Sequence, residues 1–186
     1  MNENLKAIFG LHPKSMKHHL HLLLFLVLGV VSCAQSIPDV LEKYNDHTVE
    51  YITVASLDTL NTPMLLDARE LEEFEVSHLD HALWVGYTDF NVETVQEMVP
   101  DKTTPLVVYC SLGVRSEEIG KQLKKAGYTN VKNLYGGIFE WKNQGRPVYD
   151  QDQQQTEKVH AFSKYWGRFL TNAHKVYTSK TKTNGQ

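Results

Sequence analysis

The residues best able to do chemistry stand together in one heptapeptide, Cys110-Ser111-Leu112-Gly113-Val114-Arg115-Ser116. It follows the apolar run Leu106-Val107-Val108-Tyr109, which reads as a buried strand bounded by Pro105, and it precedes a stretch of helical spacing. A thiol at the end of a strand and the start of a helix lies where backbone N–H groups converge and the helix dipole favours negative charge. Gly113 can adopt a left-handed conformation, which helps the intervening backbone fold into a cradle around the sulfur. Arg115 adds a permanent cation and a planar donor fork able to hold an anionic substrate. Such surroundings depress a thiol pKa and make the sulfur a nucleophile. The competing reading is an inert core cysteine, because free Cys often behaves as a small hydrophobe.

Other candidates are weaker. Asp67 and Arg69 follow the apolar run Met64-Leu65-Leu66. They either pair to organise the loops or, for Arg69, line the entrance to the site. His78 and His81 are three residues apart, but a pair without a third ligand favours a role in a turn, and no metal is expected. Phe139 and Trp141 read as packing residues.

The elements that must position the heptapeptide follow from the apolar pattern. Met64–Leu66 and Leu106–Tyr109 are the strong strands, with 82–85 and 131–134 as weaker ones. Helical spacing lies between them at Leu71 and Phe74 and at Val92, Val95 and Val99, so strands alternate with helices as in a parallel α/β sheet. The clearest helix follows Cys110. Ser116 is expected to cap it, Glu117 and Glu118 suit its positive end, Ile119, Leu123 and Ala126 share one face, and Gly127 stops it. Cys110 then lies at the carboxyl end of a strand, where open α/β sheets bind ligands.

The loop resembles the active site of the rhodanese-domain sulfurtransferases, Cys-x-x-Gly-x-Arg-Ser. Three further stretches are similar to that family: Asp67-Ala68-Arg69 through Glu73-Phe74 and Ser77-His78-Leu79-Asp80-His81-Ala82; Gly136-Gly137 with Trp141; and Gly145-Arg146-Pro147-Val148. The resemblance runs from Thr48 to Val148. It implies a five-stranded parallel sheet flanked by helices, and a ping-pong reaction in which the Cys110 thiolate takes sulfur from a small sulfur-containing donor. A Cys110 persulfide then passes that sulfur to a thiol or cyanide acceptor, with Ser111 to Ser116 as the binding loop and no cofactor. Ser77 and His81 stand where the family usually has Gly, and Asp80 where it often has Pro, which bears on the neighbouring surface before it bears on sulfur transfer.

Phosphatases on a related fold place five residues between Cys and Arg to enclose a phosphate; here there are four, Ser111 to Val114, which suits a single sulfur. The alternative from another class is a non-catalytic binding or sulfur-carrier module at the cell envelope, with Cys110 idle or sensory.

The whole chain has 186 residues, a formal charge of −3, 41% hydrophobic and 22% charged residues, which suits one globular domain and excludes a disordered or multi-span membrane chain. The near-neutral charge argues against nucleic-acid binding. Two cysteines, Cys33 and Cys110, exclude a disulfide framework. Near the N-terminus, Lys14, Lys17, His18 and His19 precede an apolar run from Leu20 to Val31 broken by His21. At ~1.5 Å per residue the run spans roughly 18 Å, short of a ~30 Å hydrocarbon core, so it reads as a signal peptide rather than a membrane span. Met16 offers a compact start for it. Its end, Val30-Val31-Ser32-Cys33, resembles a bacterial lipobox, which implies that Cys33 becomes a lipid-modified N-terminus anchoring the protein to the membrane of a bacterial cell envelope, facing periplasm or exterior. An ordinary signal peptide with a chance Cys is the alternative. Acyl chains contribute ~0.8 kcal/mol per buried CH₂. Loss of Lys6, Lys14 and Lys17 with Glu3 would leave the mature chain more acidic, so anchoring would rest on the lipid.

The expected organisation is therefore a signal peptide over 1–32, a tether over 33–46 in which Val40 to Tyr44 can start a short helix, the α/β domain over 47–148, and a tail over 149–186. In the tail, Gln151 to Gln155 reads as a linker. Val159, Phe162, Trp166, Phe169, Ala173 and Val176 have the spacing of a basic amphipathic helix, packed back on the domain or facing a partner or membrane surface. Ser179 to Gln186 is expected to be disordered.

Overall fold

The computed structural model describes residues 35–177. Cys33, the apolar run before it and the last residues of the tail lie outside the described residues.

Five parallel strands form the central sheet: β1 (Glu50–Ile52), β2 (Met64–Asp67), β3 (Leu83–Trp84), β4 (Leu106–Tyr109) and β5 (Val131–Leu134), in the order β1-β5-β4-β2-β3. All four predicted runs are strands, and β1 at the sheet edge is the one the apolar pattern did not mark. The register sets Asp67 beside Tyr109 and Val108 beside Asn133, so the carboxyl ends of β2, β4 and β5 open at one edge. The centre of the sheet is buried on both faces, and the period of two along β4 divides its side chains between two cores. Val107 and Tyr109 join Leu134, Ile138 and Phe139 on one side, while Leu106 and Val108 join Val95, Ile119 and Leu123 on the other.

The helix after the thiol, α5 (Arg115–Lys125), buries Ile119 and Leu123 and ends at Ala126, before Gly127 at φ +98°. A second helix, α6 (Gly137–Asn143), follows β5 and buries Ile138 and Phe139. The predicted helices at Leu71 and Val92 are present as α3 (Leu71–Val76) and α4 (Val92–Met98), and a single-turn helix, α2 (Val54–Leu57), precedes them after β1.

Two expectations about the flanks are corrected. The short helix expected from Val40 is present as α1 (Ile37–Tyr44), but it starts earlier, at a reciprocal capping box of N-cap Ser36 and Asp39, and it is part of the domain rather than of a tether, with Val40 and Leu41 buried. Pro38 in the first turn starts this helix rather than marking a linker, because its missing N–H falls among donors that have no intrahelical partner.

The tail is not an amphipathic helix. Gln151 to Gln155 belongs to a hairpin in which β6 (Val148–Tyr149) pairs antiparallel with β7 (Gln155–Thr156), its turn drawn in by backbone N–H groups of Asp152 and Gln154 donating to the Asp150 carboxylate. Beyond it β8 (Lys158–His160) and β9 (His174–Val176) pair in parallel around a 3₁₀ turn at Trp166–Phe169. Apolar residues three and four apart suit a helix, but here a looped chain returns them to the same face. Val159, Ala161, Phe169 and Leu170 are buried in the domain core, so the tail does pack back on the domain. Phe162 at φ +60°, with weak helix formers at Ser163, Gly167 and Asn172, interrupts any continuous helix.

Candidate active site

Cys110 directly follows the last residue of β4 and is 2% exposed at the base of the loop. Its Sγ accepts from the Gly113 N–H at 3.1 Å, and the Ser116 hydroxyl lies 3.6 Å away. Gly113 takes φ +111°, and a Cβ there would sit 3.3 Å from Leu41 Cδ2, so both the conformation and the close approach favour glycine. Its carbonyl is held from two directions, by Asn45 Nδ2 at 2.9 Å and by Asn133 Nδ2 at 2.8 Å. The peptide whose N–H meets the sulfur is thus followed by a carbonyl pinned to a strand and to the end of α1.

The loop is also tied to α6. The N–H groups of Ile138 and Phe139 donate to the carbonyls of Cys110 and Ser111 at 2.9 and 3.2 Å. These are amides of a helix N-terminus, which lack intrahelical partners, and here they fix the loop.

Ser116 does not cap α5. The helix begins two residues earlier than that, with Val114 in the cap position and no side-chain cap, and this turns Ser116 inward, where its hydroxyl also reaches Asn133 Oδ1 at 2.8 Å. Glu117 is buried and accepts from Val49 N–H and Asn133 Nδ2.

Burial pushes the Cys110 thiol pKa up. The Arg115 charge and the hydrogen bonds from Ser116 and Gly113 outweigh it, so the thiol lies below its ordinary value. Arg115 is shared, however. Its guanidinium grips the buried carboxylate of Glu73 through two nitrogens, at 2.6 and 2.8 Å, and also donates to Ser111 Oγ at 3.0 Å. Burial alone would raise the Glu73 pKa. Arg115, His160 and Arg69 overcome that and hold the carboxyl well below the usual carboxylate range.

Above the thiol lies a cavity of about 240 Å³, lined by Tyr44, Leu112, Val114, Phe162 and Trp166 together with Cys110, Ser111 and Arg115. The Arg115 guanidinium lies over the Phe162 ring at 5.0 Å, and Tyr44 meets Trp166 edge-on at 6.0 Å.

The structure places Cys110 to Val114 in one loop and Arg115 and Ser116 in the first turn of α5, all around the sulfur. Asp67 and Arg69 are not at the entrance: both are fully buried, Arg69 binds the Asp67 carboxylate and the Ser77 carbonyl, and they hold the loop after β2. His78 is buried against Phe74 and near Gln153, while His81 is exposed at φ +54°. An imidazole tolerates that backbone where glycine would be usual. The pattern missed Glu73 as a site residue, although it lies in a quoted motif. It also missed Tyr44, Asn45, His160, Phe162 and Trp166, which come from the two flanks. Asn133 left a signal, a lone amide in an otherwise apolar and lysine-containing strand.

Residues 53–144 match the family model of the rhodanese-like domain. The chain is 30% identical to a tRNA uridine(34) hydroxylase of Erwinia tasmaniensis over 166 residues, covering 78% of this chain and 47% of that protein. It is 35% identical to the probable adenylyltransferase/sulfurtransferase MoeZ of Mycobacterium tuberculosis over 92 residues, covering 49% of this chain and 23% of that one. The chain thus spans less than half the length of these curated relatives. A crystal structure of thiosulfate sulfurtransferase from Pseudomonas aeruginosa superposes with a TM-score of 0.51 at 23% identity, over 67% of this chain and 24% of that one, and shares the fold. Residues 53–144, which hold β2 to β5 and the thiol loop between β4 and α5, form a rhodanese-like domain, one with sulfurtransferase relatives.

Proposed function

We propose that the protein is a sulfurtransferase that moves sulfane sulfur through a persulfide on Cys110. The observation that carries this reading is the Gly113 N–H at 3.1 Å from Sγ at the head of α5, beside Arg115, with the thiol pKa lowered. The relatives have different stated activities on longer chains, so the reading rests on the site. In the first half-reaction the Cys110 thiolate attacks the outer sulfur of a donor, forming an S–S bond at Cys110 and releasing sulfite from thiosulfate or a thiolate from a persulfide. In the second, cyanide or an acceptor thiolate attacks that outer sulfur, and Cys110 leaves as thiolate. A persulfide is an anion at neutral pH, so the donors that stabilise the thiolate also serve the intermediate.

The test compares wild type with Cys110→Ser. Wild type treated with polysulfide or thiosulfate should gain about 32 Da per sulfur on Cys110, turn over with cyanide or a thiol, and lose both properties in the variant. Absence of added sulfur and of turnover with every donor would leave the binding-module alternative.

We further propose that Cys33 is lipidated and anchors the domain to the cell envelope, on the strength of the Val30-Val31-Ser32-Cys33 ending of the apolar run. Mass analysis of the mature N-terminus should find acyl chains on Cys33; an unmodified peptide starting elsewhere would refute it.

A further inference from the structure

The aromatic walls of the cavity above Cys110 are built by residues outside the family match. Tyr44 comes from α1, and Phe162 and Trp166 come from the tail, whereas residues 53–144 supply the loop itself. The cavity is apolar on most of its surface, and its one cation, Arg115, is already occupied by Glu73. Phe162 adds an independent sign that this wall is a built feature. It is half exposed, yet held at φ +60°, a conformation uncommon for a bulky side chain. The surrounding chain imposes it: the Phe162 N–H donates to His160 Nδ1 at 3.3 Å, while Ala161 N–H donates to Val176 and Ser163 N–H to Ala161. Strain of this kind, about 1–3 kcal/mol at such positions, persists where the fold over-determines it and gathers at ligand clamps. Its effect here is to aim an aromatic ring over Arg115 and across the mouth of the thiol site.

Resting on the sulfurtransferase reading, we propose that the Tyr44–Phe162–Trp166 wall selects an uncharged organic thiol as sulfur acceptor, its alkyl or aryl group seated in the cavity while its sulfur meets Cys110. A cavity of about 150 Å³ lined by Leu, Ile and Phe holds a benzene ring, so about 240 Å³ leaves room for such a group and its thiol. The acceptor thiolate RS⁻ attacks the outer sulfur of the Cys110 persulfide. A bond forms between the two sulfurs, the Cys110 S–S bond breaks, and RS–SH and the Cys110 thiolate result, with no external oxidant or reductant. Small charged acceptors gain nothing from an apolar wall and lose their hydration there.

The experiment charges the full chain with inorganic polysulfide, confirms the Cys110 persulfide by mass, and measures transfer to a series from ethanethiol to pentanethiol, with 2-mercaptoethanesulfonate as charged comparison. The thiol pKa values of the alkyl series are nearly constant, so reactivity does not confound size. kcat/KM should rise about fourfold per methylene, and the sulfonate should fall at least about tenfold below propanethiol. Trp166→Ala and Phe162→Gly should flatten the rise. The glycine variant relieves the left-handed backbone and so keeps the fold while losing the ring. A flat series on charged wild type, or a rise that survives both substitutions, overturns the proposal and leaves sulfur transfer standing. Failure to charge Cys110 with any donor overturns the sulfurtransferase reading itself, and this one with it.

Discussion

Glu73 and Arg115 form a two-pronged ion pair beside the thiol, Oε2 accepting from Nη1 at 2.6 Å and Oε1 from Nη2 at 2.8 Å. The loop therefore presents a guanidinium whose charge is compensated before any substrate arrives. Thiosulfate, a dianion, finds little net attraction, and small persulfides or polysulfides should show the higher kcat/KM as donors. Glu73→Gln frees the guanidinium while its amide oxygen can still accept from the Glu70 N–H that Glu73 now holds. The expected result is a thiosulfate KM lower by about tenfold, the scale of one charge-assisted hydrogen bond. Steady-state kinetics with both donors check this, and a wild-type preference for thiosulfate would contradict it.

The same pair sets the response to acid. The folded-state pKa of Glu73 lies below the unfolded value of 4.5, so its ionised form stabilises the fold. For a depressed carboxyl that contribution is complete above the unfolded pKa and fades as pH falls toward the folded one. Denaturant midpoints should therefore drop below about pH 4.5 more steeply in wild type than in Glu73→Gln, which has no proton to take up. Equal slopes in the two proteins would remove Glu73 from the acid transition.

The thiol titrates in the same sense. Cys110 ionises below its ordinary value, chiefly because Arg115, Ser116 and Gly113 outweigh burial. The pH dependence of alkylation by iodoacetamide should have its midpoint below that of an ordinary free thiol measured alongside it. Arg115→Ala should move it up by the larger amount, since it removes the cation and leaves Glu73 unpaired, and Ser116→Ala by the smaller. The ionised thiol also adds stability as pH rises through the folded pKa toward the ordinary one. A midpoint unmoved by Arg115→Ala would show that the backbone amides and the Ser116 hydroxyl hold the thiolate without the cation.

Arg69 is predicted to matter for folding rather than for chemistry. It is fully buried with Asp67, and its Nη2 also holds the Ser77 carbonyl at 2.6 Å. Arg69→Ala leaves a buried carboxylate without its partner, a loss of about 3–5 kcal/mol. Any Arg69→Ala that remains folded at low temperature should keep its donor KM. A KM raised at full stability would instead place Arg69 at the substrate.

How much of this was legible in the sequence depends on whether the signal was local. The strands and Cys110 are encoded in short runs, apolar stretches beside proline and a thiol before a helix start, and these were read directly. Glu73 was quoted within a motif, but nothing in its neighbours says that it faces Arg115, forty-two residues on. Tyr44 and Trp166 meet only in three dimensions, and the 3-4 spacing around Trp166 imitates a helix because a looped chain returning to one core face repeats apolar residues too. Ser116 shows the sensitivity of such readings. Moving the helix start by two residues changes a cap into a hydroxyl directed at the thiol and Asn133.

Gly137 provides a control on the link between α6 and the thiol loop. It has φ +54°, and a Cβ there would overlap the Cys110 carbonyl oxygen and approach the Ser111 carbonyl carbon at 2.8 Å. Neither atom can yield, because both peptides are fixed by the N–H groups of Ile138 and Phe139. Gly137→Ala should cost about 3–5 kcal/mol, from overpacking added to left-handed strain. Gly145 has a similar backbone, φ +77°, but open space where its Cβ would be. Gly145→Ala should cost only the strain, about 1–2 kcal/mol, and leave Cys110 persulfide formation intact. Chemical denaturation of the two variants, with persulfide formation measured below their transitions, separates the contributions. Equal losses would mean that backbone conformation alone decides both sites, and that the helix does not bear on the loop holding the thiol.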